Sequence, residues 1–193
     1  MSLSSICVFA GSADGSRREY GIAAETLGRL LAEREITLVN GGSGIGLMGR
    51  VADAALAAGG RAIGVIPEGL MAQEIAHQGL TELRVVGSMH ERKAQMSELA
   101  DAFVALPGGL GTFEELLEAA TWSKLGLQAK PCGVLNVGGY FDPLMALIDG
   151  AVDNGFLSAD HRRIIVNSAD PQELLVRIAD WQPPAEWRVP VPK

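Results

Sequence analysis

One stretch of the sequence indicates the fold of this chain most clearly, Pro107-Gly108-Gly109-Leu110-Gly111-Thr112-Phe113-Glu114-Glu115. It follows the apolar run 102–106 and leads into a helical pattern over 113–120, so the order is strand, glycine turn, helix. Glycines have no Cβ, so the backbone of such a turn can approach a ligand closely. The amides of a first helical turn have no partners within the helix, and with the helix dipole they attract phosphate. The stretch therefore predicts an α/β domain with a phosphate site at this turn.

The role of Glu115 within this stretch is open from the pattern alone. Thr112-x-x-Glu115 has the form of a capping box, in which Thr112 caps the helix and Glu115 reaches back to the Thr112 amide. In the other interpretation Glu115 faces something besides phosphate, because a carboxylate repels a phosphate placed next to it.

Length and composition fit one α/β domain. The chain has 193 residues, of which 48% are hydrophobic and 20% charged, close to the average for globular proteins. The net charge of −7 opposes broad binding to nucleic acid or to anionic membranes. No apolar run approaches the ~20 residues of a bilayer span, and the first residues carry no secretory pattern. Cys7 and Cys132 lie in apolar runs without metal-ligand spacing, which predicts buried, reduced thiols in a soluble, cytoplasmic protein.

Short apolar runs alternate with amphipathic helical patterns along the chain. Strands are predicted at 6–10, 36–39, 62–66, 83–86, 102–106 and 132–136, and helices at 16–34, up to about 58, 89–100, 113–124, 142–154 and 171–181. This alternation predicts a doubly wound, mostly parallel sheet with helices on both faces. We expect one nucleotide-binding domain over residues 1–182, followed by a proline-rich tail over 183–193.

Three glycine-rich turns follow predicted strands, at residues 11–15, 41–49 and 108–111. Ligands of such sheets bind at the carboxyl ends of the strands, so the turns predict a nucleotide-sized cleft. The second turn contains Gly44-x-Gly46-x-x-Gly49, which formally matches the dinucleotide fingerprint. It follows the second strand rather than the first, and Pro67 precedes the only candidate acidic partner, Glu68. Binding of NAD(P) therefore stays a weak alternative.

Few other side chains suit chemistry at this cleft. Ser88-Met89-His90-Glu91 has the form of a second capping box, which opens a helix. Arg92 and Lys93 lie one turn into that helix, on the rim expected to hold the 107–115 stretch, so Arg92 and Glu115 can meet. The alternative for this basic pair is a solvated helix face. The three histidines, His77, His90 and His161, have no metal-ligand spacing. No Gly-x-Ser-x-Gly motif surrounds Ser43, so a serine hydrolase is unsupported.

Two of these motifs together resemble the paired signature of a known family. Met89-His90-Glu91-Arg92-Lys93, followed by Pro107-Gly108-Gly109-x-Gly111-Thr112-x-x-Glu115, is similar to the signature of the LOG family. These are cytokinin riboside 5′-monophosphate phosphoribohydrolases, formerly labelled lysine decarboxylases. The likeness covers residues 5–157 and includes Gly11-Ser12 and Gly46-Leu47-Met48-Gly49.

The resemblance implies a Rossmann-like homodimer that hydrolyses the N-glycosidic bond of a nucleoside 5′-monophosphate, AMP or an N6-modified AMP. It implies Arg92 and Glu115 as the catalytic pair, and no metal or organic cofactor. The implied substrate-binding residues are Gly11, Ser12, Gly46, Met89, Lys93, Pro107, Gly108, Gly109, Gly111 and Thr112. The chain departs from the usual family pattern at Ser43-Gly44 and at Ala10, changes that we expect to affect the preferred base.

The residue types fit this chemistry. A carboxylate near C1′ gains attraction as the ribose acquires positive charge, and it can orient or deprotonate the attacking water. Arg92 is expected to donate hydrogen bonds to Glu115 or to the leaving base, since a guanidinium is a poor general acid. Lys93 is expected to contact phosphate or to lie on the surface. Met71, Met89 and Trp122 are candidate walls of the base pocket or ordinary core residues.

Two other functions remain as alternatives. The first is a carrier that holds a phosphorylated ligand such as molybdenum cofactor without turnover, against which the pair Arg92 and Glu115 argues. The second is a lysine decarboxylase, which needs a Schiff-base lysine for pyridoxal phosphate. The chain has four lysines, and no evident cofactor pocket surrounds any of them: Lys93, Lys124, Lys130 and Lys193.

Overall fold

The computed structural model describes residues 3–71 and 75–184, and its centre is a seven-stranded sheet. The strands are β1 (Ser5–Phe9), β2 (Thr37–Asn40), β3 (Ala62–Pro67), β4 (Glu82–Val86), β5 (Ala102–Ala105), β6 (Cys132–Leu135) and β7 (Ile165–Ser168). The helices are α1 (Arg18–Glu33), α2 (Gly46–Ala57), α3 (Met89–Leu99), α4 (Leu110–Lys124), α5 (Asp142–Asp153), α6 (Ala159–Arg162) and α7 (Pro171–Ala179). Among the described helices, none is long and apolar enough to cross a membrane.

The strand order is β4-β3-β2-β1-β5-β6-β7, and each neighbouring pair is parallel. The chain moves outward from β1 to β4 and then returns to the other side of β1 to form β5. The order thus reverses between β1 and β5, which makes their carboxyl ends the expected ligand site. The predicted doubly wound α/β architecture is confirmed.

Each face of the sheet carries one helical layer. In β1, Ile6 and Val8 point into the core beneath α1, α2 and α7, while Cys7 and Phe9 point into the core beneath α3, α4 and α5. This division follows from the two-residue period of a strand, and burial on both faces explains the continuous apolar run of β1. The side chain of residue 7 consequently lies below the two helices that begin with the predicted signature motifs.

The two predicted capping boxes differ in outcome. Ser88 caps α3 as expected, since its Oγ accepts a hydrogen bond from the Glu91 amide at 3.2 Å. The Glu91 carboxylate bonds the Gly87 amide at 2.7 Å. The Thr112–Glu115 box is wrong, because α4 begins at Leu110 with Gly109 as its N-cap and places Thr112 inside the first turn. The N-cap of this helix makes no side-chain hydrogen bond, so Thr112 and Glu115 do not form the predicted capping box.

The predicted elements lie within a few residues of the observed ones, with one segment missed. Residues 155–170 received no element from the sequence, whereas the structure places α6 and the edge strand β7 there. The sequence of β7, Ile-Val-Asn-Ser, is too short and too polar at its end to display a strand pattern. The proline-rich tail lies outside the described residues from 185 onward.

Candidate active site

Backbone hydrogen bonds join the three glycine turns at the switch point of the sheet. The Gly11 amide after β1 donates to the Pro107 carbonyl after β5 at 3.1 Å. The Met48 amide at the start of α2 donates to the Gly11 carbonyl at 3.2 Å. The cleft above them has a volume of about 290 Å³, at the lower end of the size range of small-molecule sites. Its lining includes Ala10, Gly11, Ser12, Met48, Leu70, Met89, Arg92, Gly109, Leu110, Gly111, Thr112, Glu114 and Glu115.

The glycines of this region divide into two groups by what a side chain would meet. At Gly46, whose φ is +62°, a Cβ would collide with the Ser12 backbone, and at Gly108 it would collide with the Thr112 side chain. A Cβ at Gly109 or Gly111 would meet no atom within 4 Å. The first two glycines are needed for the loops to approach each other. The other two leave the amides at the start of α4 open to a ligand.

Arg92 reaches the cleft from the first turn of α3. The residue is 3% exposed, and its Nη2 donates a hydrogen bond to the Gly41 carbonyl at 3.0 Å. Its Nη1 lies 3.8 Å from the Met89 sulfur. The Ser88 cap fixes where α3 begins and therefore where the guanidinium enters. Because a guanidinium keeps its charge at all physiological pH values, Arg92 is a permanent cation in the floor of the cleft.

Glu115 enters the same cleft from α4. It is 8% exposed, and as the sixth residue of that helix it lies one turn below the open amides. Both charges act on the Cys7 thiol in β1: burial raises the pKa of Cys7, the Glu115 carboxylate raises it further, and Arg92 lowers it. The structure thus brings Arg92 and Glu115 into one cleft, as predicted, with the cation on α3 and the carboxylate on α4.

Lys93 has a role that neither sequence interpretation anticipated. Its side chain is only 12% exposed, so the surface interpretation is wrong. Its Nζ lies 2.5 Å from Glu114 Oε1 and 3.0 Å from the Glu118 carboxylate. Burial lowers the pKa of Lys93, but the hydrogen bonds to the two glutamates outweigh it and raise the pKa above its usual value. With its ammonium engaged by two carboxylates, Lys93 is absent from the residues that line the cleft.

The candidate base-pocket residues are placed differently from one another. Met89 lines the cleft as expected. Trp122 does not, because it lies in a separate gap between α3 and α4. Met71 is the last described residue before 72–74 and is not among the lining residues.

Two further residues of this region, Leu110 and Tyr140, were not singled out from the sequence. Leu110 is 86% exposed and extends from the start of α4. A large apolar side chain between glycines was a signal by which the sequence could have identified it. Tyr140 donates a hydrogen bond from its hydroxyl to the Gly108 carbonyl, and its ring meets Tyr20 edge-on at 5.7 Å. Tyr140 lies 32 residues beyond Gly108, so only the fold could identify this support of the turn.

The cysteines and the lysines of the described residues do not line the cleft. Both cysteines are buried and unpaired, and burial raises the pKa of Cys132. Among residues 3–71 and 75–184, no cluster of three His, Cys, Asp or Glu side chains is arranged to hold a metal ion. Of the lysines in the described part of the chain, Lys130 donates to the Ser97 carbonyl at 2.7 Å and Lys124 ends α4. Neither these nor Lys93 lines the cleft, so the described residues offer no Schiff-base lysine there.

Comparison with known proteins identifies the family. Residues 48–178 match the family model described as "Possible lysine decarboxylase". The chain is 50% identical over 181 residues to the cytokinin riboside 5′-monophosphate phosphoribohydrolase LOG of Oryza sativa subsp. japonica, covering 94% of this chain and 75% of that protein. It is 49% identical over 178 residues to the corresponding enzyme LOG7 of Arabidopsis thaliana, covering 92% and 82%.

Solved structures share the architecture. The protein TM1055 superposes with a TM-score of 0.70 at 26% identity, covering 92% of this chain and 98% of that one. The molybdenum cofactor carrier protein of Chlamydomonas reinhardtii has a TM-score of 0.68 at 21% identity, covering 91% and 95%, which shows a common fold alone. From the family match and the two plant relatives, the chain belongs to the LOG family of cytokinin riboside 5′-monophosphate phosphoribohydrolases, whose family model carries the older decarboxylase description.

Proposed function

We propose that this protein hydrolyses the N-glycosidic bond of a nucleoside 5′-monophosphate, AMP or an N6-modified AMP such as a cytokinin riboside monophosphate. The products are the free base and ribose 5-phosphate. The observation that carries the proposal is the presence of buried Arg92 and Glu115 in one cleft with the open amides of α4. Relatives at about half sequence identity that are named for this reaction support it.

The 5′-phosphate binds at the start of α4. There the backbone amides lack helical partners, and the empty space beside Gly109 and Gly111 lets a phosphate reach them. The Thr112 and Ser12 hydroxyls and the backbone of Gly11, Gly46, Pro107 and Gly108 complete or shape this site. A phosphate so placed directs the ribose down the cleft toward Glu115, one helical turn away.

Glu115 acts on the ribose. As the glycosidic bond breaks, positive charge develops at C1′ and the carboxylate attracts it more strongly than in the ground state. The same carboxylate orients or deprotonates the attacking water. Arg92 donates hydrogen bonds that hold Glu115 or the leaving base, and it retains its own proton throughout. This scheme uses no metal ion and no organic cofactor.

The base lies against the apolar wall formed by Met48, Leu70, Met89 and Leu110. Thioether and aliphatic side chains accept purine rings and apolar N6 substituents alike. Which of the two nucleotides is preferred is therefore read from their relative rates of base release.

The protein acts in the cytoplasm as a homodimer. The family resemblance supports the dimer, as do exposed apolar side chains on and beyond α4, Leu117, Leu125 and Leu127. The unpaired cysteines suit a reducing compartment. Light scattering on the purified protein measures the assembly, and a monomer at micromolar concentration contradicts this part of the proposal.

Product analysis tests the proposed reaction. Purified protein is incubated separately with AMP and N6-isopentenyl-AMP, and free base and ribose 5-phosphate are separated by chromatography. Glu115→Gln is expected to lower the rate by about 10²–10⁴-fold, the range for loss of a positioned acid–base group. The matched control Glu33→Gln, at the exposed end of α1, keeps the wild-type rate. Absence of base release by the wild type, or an unchanged rate in Glu115→Gln, overturns the proposal.

A further inference from the structure

We propose that Lys93 is the positioning residue of this cleft: it ties α4 to α3 through Glu114 and Glu118 and thereby fixes Glu115 in front of Arg92. The inference rests on the proposed function and assigns a residue outside the catalytic pair. Lys93 touches neither phosphate nor ribose in this role, and it acts through the helix that carries Glu115.

The bridge is adjacent to both catalytic groups in sequence and in space. Lys93 follows Arg92 on α3, while Glu114 precedes Glu115 and Glu118 lies one turn further along α4. The Lys93 Nζ bonds both carboxylates, at 2.5 and 3.0 Å. Two attachment points one helical turn apart restrain rotation of α4 about its axis as well as its distance from α3. Rotation is the motion that would turn Glu115 away from the cleft.

Near the cleft, the contacts between the two helices include the Lys93 bridge itself. A gap between α3 and α4 is lined by aromatic and small side chains together with the Lys93, Glu115 and Glu118 side chains themselves. At the far end of the gap a second polar bridge exists, in which Ser97 Oγ donates to Gln128 at 2.7 Å and Gln128 donates to the Ala119 carbonyl at 3.0 Å. The Lys93 bridge is the corresponding connection at the catalytic end.

Charge compensation is the second consequence of the same contacts. Glu114 and Glu118 are four residues apart on one helix, and without a cation between them they repel each other. They also flank Glu115 beside the expected phosphate site, where further negative charge opposes an anionic substrate. Variants that remove the Lys93 bridge, with and without the two glutamate charges, distinguish a positioning role of Lys93 from charge compensation.

Kinetics on AMP provide the first test. Lys93→Met removes the bridge at nearly constant length, and we expect kcat to fall by about 10–100-fold, as for displacement of a reacting group by roughly 1 Å, with KM changed by less than about threefold. Lys93→Arg can bond both carboxylates and recovers most of the rate. The triple variant Lys93→Met, Glu114→Gln, Glu118→Gln has no excess charge and no ionic bridge, so its kcat stays low. Lys124→Met, at the exposed end of α4, is the matched control with wild-type kinetics.

Three kinetic outcomes overturn the inference. A wild-type kcat in Lys93→Met removes the positioning role. Recovery of kcat in the triple variant assigns the effect to charge alone. A rise in KM with unchanged kcat makes Lys93 a substrate contact.

Hydrogen exchange tests the bridge without turnover. The amides of residues 110–118 are expected to exchange faster in ligand-free Lys93→Met than in the wild type, with the other helices unchanged. Glu118→Gln removes one arm of the bridge and gives a smaller change in the same direction. Equal exchange rates in wild type and both variants overturn the role of Lys93. A wild type that releases no base overturns the proposed function, and the exchange comparison still decides the role of Lys93.

Discussion

Gly41→Ala tests whether the position of Arg92 controls catalysis. Gly41 has no unusual φ, so alanine is acceptable to its backbone, but its Cβ would collide with Arg92 Nη2. The same Cβ would lie 2.9 Å from Arg92 Cζ and 3.1 Å from the Met48 sulfur. Since carbon atoms in contact prefer about 3.5–4.0 Å, the guanidinium must retreat by roughly 1 Å. That movement also lengthens its hydrogen bond to the Gly41 carbonyl, now 3.0 Å.

The expected loss of catalytic rate is large for the addition of one methyl group. A displacement of about 1 Å at a reacting centre costs about 10²-fold in rate, equivalent to roughly 3 kcal/mol of barrier. The same crowding lowers the free energy of unfolding by about 1–3 kcal/mol, so activity is measured well below the unfolding temperature and normalised to folded protein. Initial rates of base release from AMP give kcat and KM, and thermal unfolding gives stability.

Gly150→Ala is the matched control. It lies in α5, and a Cβ there meets no atom within 4 Å. We expect unchanged kinetics and stability equal to or above that of the wild type, by up to about 1 kcal/mol. If Gly41→Ala keeps kcat within twofold of the wild type while folded, the guanidinium position does not limit the reaction and the assignment of Arg92 is refuted.

Three further substitutions differ in their expected effect on stability. Gly111→Ala places a Cβ in the cleft without touching the protein, so stability is kept or raised while AMP affinity falls about tenfold. In Gly108→Ala the new Cβ collides with Thr112, and the free energy of unfolding falls by about 1–3 kcal/mol. Calorimetric titration and urea unfolding separate the two, and similar unfolding for both contradicts the division of the glycines. Asp101 accepts hydrogen bonds from Ser4 and Ser5; burial raises its pKa, but these bonds outweigh it and hold the pKa below its usual value. The stabilisation by ionised Asp101 is therefore present above about pH 3.9 and is lost as the pH falls through the folded-state pKa. Asp101→Asn is expected to lower the free energy of unfolding by on the order of 1–2 kcal/mol at pH 7. The difference from the wild type narrows below about pH 4. A constant difference in urea unfolding from pH 7 to pH 3.5 contradicts this assignment.

Most of the architecture was predictable because each central element carries a local signal. The buried strand β5, the glycine turn after it and the helical period of α4 are all readable within residues 102–124. The edge strand β7 has no such signal, since half of its four residues are polar and its pairing with β6 defines it. The start of α4 was misplaced by three residues, because Gly109 acts as an N-cap without a side chain.

The proposed catalytic pair, Arg92 and Glu115, was predictable as two charged residues on one rim, whereas the contacts that support them were not. The bond from Arg92 to Gly41 spans 51 positions, and those from Lys93 to α4 span 21 and 25. Such pairings depend on how two helices and a loop meet in space, which no local pattern encodes. Local sequence patterns therefore indicate the two charged residues of the cleft but not the contacts that hold them in place.

Glu115 also separates a hydrolase from a carrier on the same scaffold. A carrier gains from every contact that tightens its anionic ligand, and a buried carboxylate one turn from a phosphate site weakens such binding. A hydrolase tolerates this ground-state cost because the same carboxylate attracts the positive charge that appears at C1′ only in the transition state. Glu115→Gln is accordingly expected to bind AMP more tightly than the wild type while losing base release. Weaker AMP binding in the variant would mean that Glu115 holds the ligand directly, and the catalytic assignment would then be withdrawn.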